Sequence, residues 1–413
     1  MKTRVTALCL ATTMLCGIGG LARAEPLGVA MIEASSGVGA ETGVLWTEGV
    51  EYGVELLNAK GGYNGVPVKF AKYDNQGTPG GASDKLREAI ADGARIIVSG
   101  GSSAVSAQIS DDVRKYNQRN PGKEVIFITP GSQASVLTGA KCHFWFFRLN
   151  STAFVRMKAI IAVMKDQRVL GDKVYLLNQN YSYGQEMEKA QGDFVKASGG
   201  SVVGAALHDV NKIQDFSPYV AKVSASGADT VLTGNWGNDI VLLMKASANA
   251  GLKVHFGNTN LDNPGVIGSA GESTLGNYHA SPYNPEAGGE AGAKFAEGYK
   301  ARFGHYPVFG AESTFGMMLL GKALDAVKTP DKSIDIKAIA LALEDAKVTT
   351  PVGEESVRKE DHQGILPIAI AKVSKDAKYK ADGTNMGLQL VKVVPGTDAA
   401  VPPDGSCKME RPS

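Results

Sequence analysis

Cysteine, histidine and net charge are all scarce in this 413-residue chain: it has four cysteines, six histidines and a formal charge of +1. The histidines, at 143, 208, 255, 279, 305 and 362, show no ligand-like spacing to one another or to cysteine, so no metal site is expected. A nearly neutral balance argues against nucleic acid or an anionic membrane as a partner. Nucleotide and hydrolase motifs are missing too. Gly37 to Gly43 is G-x-G-x-x-x-G, one residue longer than the dinucleotide fingerprint, and no P-loop Gly-Lys-Ser/Thr occurs. Gly101-Ser102-Ser103 lacks the closing glycine of a nucleophile elbow and has no nearby histidine. The expectation is a chain that is not an enzyme and carries no cofactor.

Long apolar runs are absent apart from one at the start. Lys2 and Arg4 precede a mostly apolar stretch from Val5 to Leu21, and Ala22-Arg23-Ala24 follows with small residues where a signal peptidase cuts. That order is an export signal, cleaved after Ala24 and directing the chain to the periplasm. The alternative, an uncleaved anchor, needs a longer span with less Thr and Gly. Cys9 and Cys16 leave with the signal, so Cys142 and Cys407 remain. In an oxidising compartment an isolated pair reads as a disulfide, the alternative being two free thiols. A bridge would pin the tail, residues 396–413, in which Pro402, Pro403 and Gly405 otherwise promise looseness.

What is present is alternation of strand and helix. Short β-rich runs at 27–32, 67–73, 95–98 and 125–128 are separated by helical patterns at 44–57, 83–91 and 105–117, which predicts βαβ units around a parallel sheet. The pattern restarts after Asn150, with helices expected at 154–165, 184–198 and 239–250 and strands at 174–178, 230–233 and 254–257. The fold class is α/β, with two doubly wound, Rossmann-like lobes. Such sheets bind ligands at strand carboxyl ends, beside helix starts. Three loops in those places, 35–43, 99–103 and 129–133, are rich in hydroxyls and free of Arg and Lys, and together predict an anion-receptive rim. Trp236, in Gly234-Asn235-Trp236-Gly237-Asn238, sits just past a strand end and is expected to face ligand; the alternative is a core tryptophan.

The segment Asn58-Ala59-Lys60-Gly61-Gly62-Tyr63-Asn64-Gly65-Val66-Pro67-Val68 resembles the signature of the leucine/isoleucine/valine-binding type of periplasmic binding protein. Tyr73-Asp74-Asn75-Gln76, Ile128-Thr129-Pro130 and Tyr183-Gly184 also match, and Arg358 with Asp361-His362-Gln363 resembles a late motif of one branch. The resemblance implies two lobes joined by a three-strand hinge, residues 25–149 with 281–355 and residues 150–280 with 356–395. It implies a monomer that captures a small carboxylate ligand and delivers it to the membrane permease subunits of an ABC importer. The alternative use of the fold is a sensing receptor that signals to a partner. By position, Ser103 matches a carboxylate-binding hydroxyl, and Gly131 and Ser132 match residues whose backbone meets the ligand. Gln133 stands where amino-acid binders usually carry Thr. Thr42 falls on a lobe-one wall, and Tyr183 and Trp236 match aromatic contacts. Thr259 or Asn260 falls where amino-acid binders carry an acid for the ligand ammonium. The ligand expected is therefore a branched-chain or related amino acid, or an aromatic acid. The glycines have their own physical reading: Gly61-Gly62 ends a helix in left-handed geometry, and Asn64-Gly65 turns the chain into the next strand.

Overall fold

Strands such as Ile126–Thr129 and Thr230–Thr233 are buried at every position, which is why they read as continuous apolar runs rather than alternating ones. The computed structural model describes residues 25–37 and 39–412; the export segment expected over 1–24 lies outside them.

Two sheets organise the chain. The first takes its strands in the order Lys347–Thr350, Gly353–Arg358, Gln363–Ile365, Phe146–Arg148, Ile126–Thr129, Ala94–Val98, Gly28–Glu33 and Lys69–Asp74. The second runs Gly387–Val394, Ile368–Ser374, Tyr278–Ser281, His255–Asn258, Thr230–Thr233, Lys173–Gln179 and Ser201–His208. Each sheet is covered on both faces, with apolar clusters above and below it. The helix Gly310–Ala326 returns to lobe one and packs on Ala40–Ala59 so closely that a Cβ on Gly49 would meet the Gly310 carbonyl oxygen at 2.2 Å. The chain therefore passes between sheets three times: through Asn150, after Ser281, and between Ile365 and Ile368.

The third passage comes later than expected. Gly353–Arg358 and Gln363–Ile365 pair within the first sheet, so the exchange placed at 355/356 moves beyond Ile365. The cause is a buried side-chain contact: Arg148 Nε donates to Gln363 Oε1 at 2.7 Å and ties the short strand to the sheet. The late Arg358/Asp361 motif serves this junction. Arg358 makes two bonds to Asp361, at 2.9 and 2.6 Å, and donates to the Val401 carbonyl at 2.6 Å.

Local expectations at the first helix end hold. Gly61 and Gly62 have φ of 103° and 66°. Asn64 and Gly65 both have positive φ between the bridged Tyr63 and Val66, as a two-residue primed turn requires. The second helix starts at Pro79 rather than Ser83, because Thr78 caps it by accepting from Gly81 N at 3.1 Å.

The tail makes a fourth link. Ala400 O accepts from Lys158 of lobe two at 2.7 Å, and Val401 packs on the lobe-two core. Cys407 is then bonded to Cys142 of lobe one, Cα–Cα 5.6 Å, and Arg411 meets Glu344 at 2.7 Å. The bridge closes a loop with a sequence separation of 265. Replacing both cysteines by serine should lower stability by roughly 3–5 kcal/mol in the chain-entropy model. Thermal denaturation of the two forms checks this; an unchanged melting temperature would mean that the tail is held by its polar contacts alone.

Candidate functional site

The carboxyl ends of the two sheets carry the loops that face each other, and the expected rim on lobe one is narrower than its sequence suggested. Two of its three loops spend donors internally. In the first, Asp74 accepts from the Ser35 amide at 3.1 Å and the Ser36 hydroxyl at 2.5 Å. The Ser36 hydroxyl and the Gln76 and Ser35 amides hold its carboxyl down at about 2. In the second, Glu33 accepts from the amides of Gly100 and Gly101 at 2.7 and 2.8 Å. Burial pushes the Glu33 carboxyl up, against the pull of these amides, Ala34 N–H and the Ser99 hydroxyl. The chain's own carboxylates thus fill the nests that an external anion would use.

What stays open is the start of the helix Ser103–Arg119 and the loop after Ile126–Thr129. Ser103 is the first helical residue, and first-turn amides have no acceptor within a helix; that of Ala104 is taken up by the Ser102 hydroxyl at 3.3 Å. Its hydroxyl accepts from Ala134 N at 3.3 Å and keeps its own proton to donate. Gly131 lies so close to Gly100 and Trp46 that a Cβ would meet the Gly100 oxygen at 1.9 Å, and its carbonyl accepts from Asn150 at 3.3 Å. Ser132 is an internal strut: its hydroxyl is 2.6 Å from that of Ser106 and its amide donates to Thr129 at 3.2 Å. Gln133, beside it, keeps a buried Oε1 without a partner among the described residues. Thr42 lies in the first turn of Ala40–Ala59, its hydroxyl donating to Gly39 O at 3.0 Å.

On lobe two, Tyr183 is buried in the first turn of the helix Ser182–Ala197, and its hydroxyl is 3.0 Å from that of Thr259. The half-buried Trp236 packs against the lobe-two core and donates from Nε1 to Tyr181 at 2.9 Å. Asn260 turns back to hold its neighbours, donating to Gly234 O at 3.0 Å. Tyr183, Thr259 and Asn260 thus stand together, with Trp236 fixed beside Tyr181.

The acid not found at Thr259 or Asn260 stands two residues on. Asp262 Oδ2 is 3.2 Å from His279 Nε2, whereas its Oδ1 is buried without a partner among the described residues. Burial works against its charge, but His279, Arg156 and Ser281 together outweigh burial and hold the carboxyl below the usual range. Nearby, Glu312 of lobe one meets Arg156 of lobe two at 3.5 Å and accepts from Asn150 at 2.9 Å. Burial dominates there and holds the Glu312 carboxyl up at about 8 even beside the guanidinium. The floor between the lobes therefore sets the ionised Asp262 against Arg156, with Glu312 held toward its neutral form, and leaves Asp262 Oδ1 as a buried acceptor without a partner among the described residues. Asp262 opens onto a cavity of about 500 Å³ whose walls come from both lobes, among them Leu45, Leu261, Ile267 and Tyr283. No group of His, Cys, Asp and Glu suited to a metal occurs among the described residues.

Comparison with known proteins agrees with this architecture. A family model described as periplasmic binding protein matches residues 26–378. A Leu/Ile/Val-binding protein homolog 4 from Brucella melitensis is 49% identical over 403 residues, 97% of each chain. The crystal structure of a leucine-, isoleucine-, valine-, threonine- and alanine-binding protein from Brucella ovis, in a closed conformation, superposes with a TM-score of 0.92 at 49% identity, over 94% of this chain and 100% of that one. The Leu/Ile/Val-binding protein of Escherichia coli is 27% identical over 285 residues, 67% of this chain and 72% of that one.

Proposed function

The chain belongs to the periplasmic binding protein family, and from that premise we propose that it captures small aliphatic α-amino acids and presents them to an ABC importer. The observation that carries this reading is the 49% identity, over 94% of the chain, to a Brucella ovis protein named for binding leucine, isoleucine, valine, threonine and alanine. The site's chemistry supports it at both ends of a zwitterion. The ligand carboxylate is received on lobe one by the Ser103 hydroxyl and by amides near Ser103 and Gln133. Charge-assisted bonds to hydroxyls and helix-start amides hold one carboxylate without a full counter-charge.

The ammonium goes to Asp262, whose free Oδ1 is the acceptor that the earlier pattern lacked. Leu45, Leu261 and Ile267 offer aliphatic contact for its side chain, while Tyr183, Trp236 and Thr42, outside that cavity's lining, are its walls by the family's pattern alone. Closure draws its energy from contacts made with both lobes at once. This acid also weighs against the aromatic-acid expectation, since benzoate carries no ammonium to satisfy it. Calorimetric titration with leucine, isoleucine, valine, threonine, alanine and benzoate tests the proposal. The amino acids should bind and benzoate should not; the reverse order would replace the amino-acid reading with the aromatic-acid one.

A further inference from the structure

One carboxylate crosses from lobe two to lobe one. Glu186, in the helix Ser182–Ala197, accepts from Ser135 three times: from its amide at 3.1 and 2.8 Å and from its hydroxyl at 2.8 Å. Both partners stand next to candidate ligand contacts. Ser135 follows Gln133 by two residues. Tyr183 precedes Glu186 by three, which puts the two on one face of the helix.

Beneath Ser135 lies Arg148, fully buried on lobe one. Its guanidinium supports this loop by donating to Ala134 O at 2.6 Å and, from the same nitrogen, to Ser132 O at 3.5 Å. It also donates to Thr138 Oγ1 and to Gln363 Oε1. Every one of these acceptors is neutral. Burial pulls the Arg148 guanidinium down to about 10, and the opposing charges of Glu186 and Asp361 relieve it in part. A buried cation with only neutral contacts is costly, and an opposite charge brought close lowers that cost. Lobe two delivers such a charge only when it meets lobe one.

We propose that Glu186 is a closing latch: it engages Ser135 above Arg148 when the lobes come together, and so sets how long a bound ligand is held, without touching the ligand. This rests on the reading of the protein as a two-lobed binder that closes. Interactions present only in the closed state act on release rather than on encounter. Charge-assisted bonds made in a partly buried site are the strong kind, so their loss should be visible.

The test is stopped-flow release of L-leucine from wild type, Glu186→Ala and Glu186→Gln, with the ligand-free closed fraction read by small-angle X-ray scattering. The alanine variant should release leucine roughly ten- to a hundredfold faster with association within a factor of about three. The glutamine variant should fall between, since its amide oxygen can accept but carries no charge. Ligand-free melting temperatures should stay at the wild-type value, and the alanine variant should be more open without ligand. Ser135→Ala should weaken the effect of Glu186→Ala only in part, because it removes the hydroxyl bond and keeps the two from the amide. Release rates unchanged in both Glu186 variants would overturn the latch. So would a fall in ligand-free melting temperature that accounts for the whole effect. If leucine fails to bind the wild type, the amino-acid reading falls instead; the latch is then judged by the ligand-free scattering alone, and equal closed fractions in wild type and Glu186→Ala would overturn it.

Discussion

L-Leucine methyl ester is expected to bind at least about a hundredfold more weakly than L-leucine, a loss of roughly 3 kcal/mol or more. The receptive surface proposed on lobe one consists of donors: the Ser103 hydroxyl and the amides of Ser103 and Gln133, since those of Ala104, Ser132 and Ala134 already donate within the lobe. A carboxylate would receive charge-assisted bonds from them, whereas an ester offers one weak acceptor and a methyl group. The prediction is sharpened by what has already been used up. Glu33 and Asp74 occupy the donors of the two neighbouring loops, so a displaced ligand has no second nest to fall into. Competition calorimetry with the ester against leucine measures the difference. Equal affinities would mean that the ligand enters the other way round, or that the rim holds no anion.

Asp262→Asn should weaken leucine by more than about a hundredfold, since removing one partner of a buried charge pair commonly costs roughly 3–5 kcal/mol. The substitution keeps size and shape and removes only the charge proposed to meet the ammonium. Without it, the ligand's cation would enter a floor whose fixed charge is Arg156. The control is 4-methylpentanoate, leucine without its amino group, which should bind the variant no worse than it binds the wild type. A loss shared equally by both ligands would show that Asp262 only shapes the cavity. No loss for leucine would place the ammonium elsewhere.

How much of this could be read from the chain itself varies with the range of the interaction. Thr230–Thr233 emerges with the boundaries expected from its apolar run, and the Gly61-Gly62 and Asn64-Gly65 turns follow from backbone sterics at single positions. The Cys142–Cys407 bridge is the favoured of the two readings that export leaves for an isolated pair. The edge strand Ser201–His208 was missed, because its Gly204 and alanines blunt the pattern that an interior strand shows. For the candidate site, Ser103 and Tyr183 do stand in helix first turns and Thr259 just past a strand end, the places to which the fold rule points. Its exceptions are all long-range. Nothing local in the sequence says that Glu33 will reach the amides of Gly100 and Gly101, 67 and 68 positions away. Nor does it say that Asp262 rather than Thr259 or Asn260 turns toward the floor, which depends on the bend of the loop after Asn258 and on His279 from the neighbouring strand. Glu186 and Arg148 gave no signal at all, since each looks like an ordinary charged residue until the lobes meet.

Two lobes closing over an amino acid should be directly visible in small-angle X-ray scattering of the wild-type protein with and without saturating L-leucine. The radius of gyration should fall when leucine is added, with a half-saturation point matching the calorimetric affinity. A radius unchanged at saturation, in a protein that calorimetry shows to be fully occupied, would contradict it.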